Sequence, residues 1–299
     1  MTEPEYQREQ TVMQQRYLDA LAAYTRPRFG ARHEVDDDHP QLAMLEEAML
    51  NHPPLCEADD GMLLPRGKGL VEGSPLIDEG RLPRLEAMSF AEAGMKVIPV
   101  NEWSDIIEDP NRTPPTAYCP FTLDQGSVGS CGAEGSVGAL MERRVADGQE
   151  HVLLNPYDPY HTTSGGRDGG SSPQDNMAYL QKYGCASQAV WPRSKGWRQK
   201  PSDEARQDAL QYRLMPDGIV WVNNWEELGT CVLKGFAVPW GYAGHWIFAV
   251  DLVSTTRLEY LNSWGRGFGN NGRGTAHKNS VYWSYGVCAV ICASDRIAA

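Results

Sequence analysis

Gln125-Gly126-Ser127-Val128-Gly129-Ser130-Cys131 is a turn punctuated by two glycines, and the residues that follow, Cys131 to Val145, read as a helix. That order of parts has a chemical consequence. The first N–H groups of a helix lack partners within it and carry partial positive charge, so a thiol placed there loses its proton more readily than a free cysteine. Gly126 and Gly129 let the chain bend sharply and let another backbone come close. By itself the turn also fits a buried structural cysteine at a helix start.

A thiolate nucleophile needs an imidazole base, and the base needs a third group that holds it in one tautomer. His33 and His39 lie in an acidic stretch, His151 and His161 in or beside polar loops, and His277 in a segment rich in Gly, Asn and Lys. Only His245 opens an apolar run, which continues through Trp246-Ile247-Phe248-Ala249-Val250. Asn262 stands at the end of the next predicted strand, 257–261. Two adjacent antiparallel strands would bring His245 and Asn262 together, leaving one ring nitrogen bonded to Asn262 and the other facing Cys131.

Gln125-Gly126-x-x-Gly129-Ser130-Cys131, His245, and Asn262-Ser263-Trp264-Gly265-x-x-Phe268-Gly269-x-x-Gly272 together resemble the papain family of cysteine proteases, as a divergent microbial or viral member. The likeness runs from about Ile98 to Val290. Ile98-Pro99-Val100-Asn101-Glu102-Trp103 is similar to the start of the mature enzymes, and Gly169-Gly170-x-x-Pro173 to their cleft glycines. The resemblance implies Cys131 as nucleophile, His245 as base, Asn262 as its orienting partner, and Gln125 with the Cys131 N–H as an oxyanion hole. It implies that Trp264 covers the His–Asn bond and that Gly169 and Gly170 pair with substrate backbone, with Gly129 and Trp264 also lining the substrate site. Val128 and Gly132 depart from the family, which usually has Cys and Trp there; the first change removes a disulfide. Gly244 stands where many relatives carry Asp or Asn, so subsite preference does not carry over.

Around these motifs, predicted helices come first: 3–25, Pro40–Met49, a short one near 85–94, Cys131–Val145, and Pro173–Tyr183 closed by Gly184. Residues 158–173 read as a Gly/Ser-rich loop. Strands follow at 218–222, 236–240, 245–253, 257–261 and 280–283. Helices followed by strands read as an α+β fold; with the resemblance, this becomes a papain-like two-lobed fold, a helical lobe plus an antiparallel β lobe, behind an N-terminal helical and irregular arm.

The chain has 299 residues and a net charge of −12, which argues against nucleic acid as a partner. No apolar run is long enough for a membrane span, and the N-terminus has neither the basic start nor the apolar stretch of a secretion signal. The expected location is the cytoplasm or a virus particle. The seven cysteines include no C-x-x-C pair, and the remaining Cys and His residues show no metal-ligand spacing, so neither a metal nor another cofactor is expected. Few or no disulfides are expected.

Residues 1–97 hold 18 acids and 10 bases, a net of −8, against −4 for residues 98–299. The arm cannot form a sizeable core alone and must lie against something. As a propeptide, part of 52–97 would run through the cleft over Cys131, opposite in direction to substrate, and trimming near Val97-Ile98 would raise activity. As a docking arm it would leave the cleft open and meet neighbouring chains. The missing propeptide helix pattern tilts the expectation toward docking. The leading function is a cysteine endopeptidase acting on a peptide or protein substrate. The alternatives are a papain-fold docking subunit of a larger particle such as a virion, and a Cys-dependent amidase acting on cell-wall or isopeptide bonds.

Overall fold

The computed structural model describes residues 67–242 and 244–293. Ahead of them it describes helical residues 8, 11–16, 18 and 19, helix α1 (Pro40–Asn51), and a hairpin of β1 (Leu55–Glu57) and β2 (Leu63–Pro65). The remainder of the predicted 3–25 helix lies outside the described residues. Downstream come α2 (Pro75–Asp78), α3 (Trp103–Ile107), α4 (Cys131–Ala146), α5 (Tyr157–Thr163), α6 (Pro173–Tyr183) and α7 (Asp203–Ala209). They are followed by β3 (Ile219–Trp221), α8 (Trp225–Leu233), β4 (Val238–Tyr242), β5 (His245–Ser254), β6 (Arg257–Leu261), β7 (Arg273–His277) and β8 (Cys288–Val290).

The helices begin where side chains can satisfy their first N–H groups. Ser172, Ser202 and Asn224 each accept a backbone N–H of the first turn of α6, α7 and α8. Gly184 closes α6 at φ 74°, where a Cβ would stand 1.9 Å from the Ala209 carbonyl oxygen. The stretch expected as loop from 158 to 173 carries α5 in its first part, with Tyr160 fully buried. The helix expected near 85–94 does not form. Met88 instead bridges Val220 in parallel, so tertiary pairing overrides local propensity there.

Strands β4-β5-β6-β7 form one antiparallel sheet in that order, and β3 pairs with β8. The strand expected at 280–283 is replaced by two short 3-10 turns, Lys278–Ser280 and Trp283–Tyr285, with a single bridge from Tyr282 to Gly241. β7 takes the sheet edge instead. Its Gly274 lies against the ring of Tyr260, where a Cβ would come within 2.5 Å.

Along β5 the side chains alternate between two cores. Ile247 and Ala249 join Trp103, Trp225, Trp240 and Tyr260, while Phe248 and Val250 join Val137, Leu140 and Met141 of α4. α4 lies close on β5 because it has glycine on the facing stripe. A Cβ at Gly135 would meet Trp246 at 2.7 Å, and one at Gly138 would meet Phe248 at 2.5 Å. This close packing carries the N-terminal residue of α4 to the first residues of β5.

Residues 74–97 are built into this body. Leu76 and Leu82 are buried beside Tyr179, and Phe90 is buried in the α8 core. Residues 74–97 therefore pack on the same cores as the residues after 97.

Candidate active site

Cys131 opens α4, His245 opens β5, and Asn262 follows the last residue of β6. His245 Nε2 and Asn262 Oδ1 are 2.7 Å apart, which makes Nε2 the protonated nitrogen because an amide oxygen can only accept. The Trp264 ring stacks on the imidazole at 4.5 Å between centroids. His245 Nδ1 is buried with no hydrogen-bond partner. The backbone N–H of Trp246, the residue after His245, points at the Cys131 sulfur, as do those of Gly132 and Gly69. The structure thus brings the expected three residues and Trp264 together.

Gln125 is fully buried and fixed at both ends of its amide. Its nitrogen donates to the Val128 carbonyl at 2.7 Å, and its oxygen accepts from the Ser263 hydroxyl. Ser263 also accepts the Gln125 backbone N–H at 2.8 Å, tying the turn before Cys131 to the residue after Asn262.

Gly129 donates its N–H to Asp168 Oδ1 at 2.8 Å, and the same oxygen accepts the Tyr160 hydroxyl at 2.7 Å. The Tyr160 oxygen in turn accepts the Gly170 N–H at 3.3 Å. Asp168 and Tyr160 therefore tie the turn before Cys131 to the opposite wall. Neither residue stands out in the sequence. Nor does Ser171, which follows the expected glycines; Gly170 lies against Gly69, where a Cβ would stand 2.3 Å from its carbonyl oxygen. Gly169 is exposed with open space around it, whereas Ser171 uses both its N–H and its C=O to bind a passing chain.

That chain is residues 67–71 of the protein itself. Gly67 N–H donates to Gly126 O at 2.9 Å, Leu70 N–H to Gly244 O at 3.3 Å, and Val71 N–H to Ser171 O at 3.2 Å. Ser171 N–H donates to Gly69 O at 2.8 Å, and Trp264 Nε1–H to Gly67 O at 3.0 Å. The segment runs parallel to Ser171 and lies over the sulfur. A Cβ at Gly69 would stand 1.9 Å from Gly129 O.

Beneath this plug Cys131 and His245 have no exposed surface. Burial pushes the thiol up to about 11 against the pull of the three N–H donors. Burial also pushes the imidazole down to about 3; the bond to Asn262 opposes the shift, and the Lys68 ammonium adds to it. Near neutral pH both groups are uncharged. Cys119, Cys131, Cys185, Cys231, Cys288 and Cys292 are free thiols, and among the described residues no cluster of three His, Cys, Asp or Glu side chains could hold a metal. No described helix is long and apolar enough to cross a membrane.

No protein-family model and no curated protein matches the chain. Among solved structures, Xylellain, a cysteine protease from Xylella fastidiosa, superposes with a TM-score of 0.55 at 18% identity, over 75% of this chain and 96% of its own. Procathepsin L 3 of the Tenebrio molitor larval midgut superposes with a TM-score of 0.51 at 12% identity, over 94% of this chain and 99% of its own. With helices packed on an antiparallel sheet and a cysteine at the mouth of the central helix, the chain has the papain-like fold.

Proposed function

We propose that this chain is a cysteine peptidase kept latent by its own residues 67–71. The observation that carries the reading is the fixed imidazole: Nε2 is bound to Asn262, Trp264 lies over the ring, and Nδ1 is buried without a partner, one residue before the Trp246 N–H that faces the Cys131 sulfur. Once the plug leaves, water returns to the site and the burial penalty on both charged forms falls. His245 then takes the Cys131 proton at Nδ1. The thiolate attacks a substrate carbonyl carbon, and the oxyanion is met by the Cys131 backbone N–H and the Gln125 amide. His245 hands the proton to the leaving amine, and water then cleaves the thioester to free the acid. Ser171, which pairs with the plug, offers the same N–H and C=O to substrate backbone.

Latency is supported over a docking arm because the cleft, which a docking arm would leave open, is filled by Gly67–Val71. The Gly69 N–H faces the sulfur and the Gly69 carbonyl oxygen is held by the Ser171 N–H. The test is a mixed peptide pool incubated with plug-displaced protein and with its Cys131→Ala counterpart, read by mass spectrometry. New peptide termini should form only with the cysteine present. Turnover that survives Cys131→Ala would refute the assignment.

A further inference from the structure

Residues 67–97 divide at Glu72-Gly73 into two parts held in different ways. Upstream, Gly67–Val71 is only half-buried and is bound chiefly through its backbone. Downstream, the chain is anchored by side chains and by pairing on several elements. The Asp175 carboxylate accepts the Leu76 and Ile77 N–H groups at 3.0 and 3.2 Å, at the start of α2. Leu76, Leu82 and Phe90 are buried. Met88 donates to Ile219 O and accepts from Trp221 N–H, both at 2.9 Å, as a strand beside β3. Ile98 N–H donates to the Thr230 hydroxyl at 2.9 Å. Between the two parts Glu72 and Gly73 are exposed, and Gly73 sits at φ 79° with nothing within 4 Å of where a Cβ would be.

We infer that Glu72–Gly73 is a processing site, and that residues 74–97 stay behind as part of the working enzyme. The inference rests on the reading of 67–71 as a latency plug. Hydrolysis there adds one water, leaving a carboxylate on Glu72 and an ammonium on Gly73. The agent is a peptidase acting from outside, either another copy of this chain or a different enzyme, since the plug seats Gly69 at Cys131 and Val71 on Ser171, which leaves Glu72–Gly73 beyond the sulfur. Among the described residues the freed piece keeps Met49 as a buried apolar anchor, Met13, Leu18 and Leu45 partly buried, and the backbone bonds of 67–71; as a separate chain it leaves on dilution. A cut at Val97–Ile98 acts differently. The released piece would carry Leu76, Leu82, Phe90 and the strand at Met88, so it stays bound and the plug stays with it.

The experiment inserts a thrombin site at Glu72/Gly73 in one full-length protein and at Val97/Ile98 in another. After cutting and dilution, gel filtration and intact mass identify the retained fragments, and peptide mapping follows iodoacetamide labelling of Cys131. The first cut should release residues 1–72 and raise labelling on the order of tenfold or more over the uncut chain. The second should leave the 1–97 piece bound and labelling close to the uncut rate. Release of 1–97 from a folded, rapidly labelled 98–299 body would overturn the inference, as would slow labelling after the first cut or equally fast labelling in the uncut chain. Fast labelling after the first cut without any peptide hydrolysis would leave this inference standing and remove the peptidase reading.

Discussion

Replacing Gly69 with alanine tests the plug at its tightest point. The new Cβ would stand 1.9 Å from Gly129 O, with that residue's carbonyl carbon and Cα at 2.6 and 2.8 Å. Ordinary contact begins near 3.4 Å, so the plug must back away by about 1.5 Å, because the obstacle is backbone and cannot rotate aside. A displacement of that size stretches the 2.8 Å bond from Ser171 N–H to Gly69 O beyond hydrogen-bond range. It also removes the Gly69 N–H from the sulfur and strains the neighbouring bond from Leu70 to Gly244. At roughly 1 kcal/mol per bond, two to three lost bonds amount to about 2–3 kcal/mol, or a plug open about 30 to 150 times more often. Iodoacetamide labelling of Cys131 in the full-length chain reads this directly. Gly267→Ala serves as control, since Gly267, like Gly69, lies outside the positive-φ region but has open space around it. If Gly69→Ala labels at the wild-type rate, the plug does not control access to the thiol, and the latency argument fails.

Burial of His245 makes the closed state sensitive to acid. Its value falls from 6.5 to about 3, so between those pH values the opened or unfolded chain takes up a proton that the closed site refuses; stability is lost as pH falls through that window, by up to about 5 kcal/mol. The melting temperature of wild type relative to His245→Gln should decline from about pH 6.5 downward, and a flat difference would contradict the burial argument. Asp168→Ala should slow Cys131 chemistry in the opened protein by about tenfold or more, with kcat affected more than KM; Asp168→Asn should restore much of it, because an amide oxygen can still accept from Gly129 and Tyr160. Equal loss in both variants would assign Asp168 a charge role instead. Gly138→Ala should destabilise the fold by about 1–3 kcal/mol despite alanine's better helix propensity, since its Cβ would press on Phe248 and Leu123. Calorimetry showing a gain in stability would mean that α4 and β5 are not in close contact.

The sequence by itself determined which residues compose the candidate site. A glycine turn before a helix, an apolar strand opening on His245, and the Asn262-Ser263-Trp264-Gly265 run are local signals, and local geometry makes each one readable. The α+β class followed for the same reason. The capping signals of α7 and α8, Ser202 and Asn224 ahead of acidic first turns, are equally local. The tertiary structure alone decided that Ser171 pairs with Gly69 and Val71, that Asp168 and Tyr160 brace the turn before Cys131, and that Gly67–Val71 fills the cleft while 74–97 packs on the body. These contacts join segments that lie tens to hundreds of residues apart and run mostly through backbone groups, which every residue carries alike. Gly67 and Gly69 are visible in the sequence, but their meaning depends on the Val128 and Gly129 carbonyls that press against them, and folding alone brings those together.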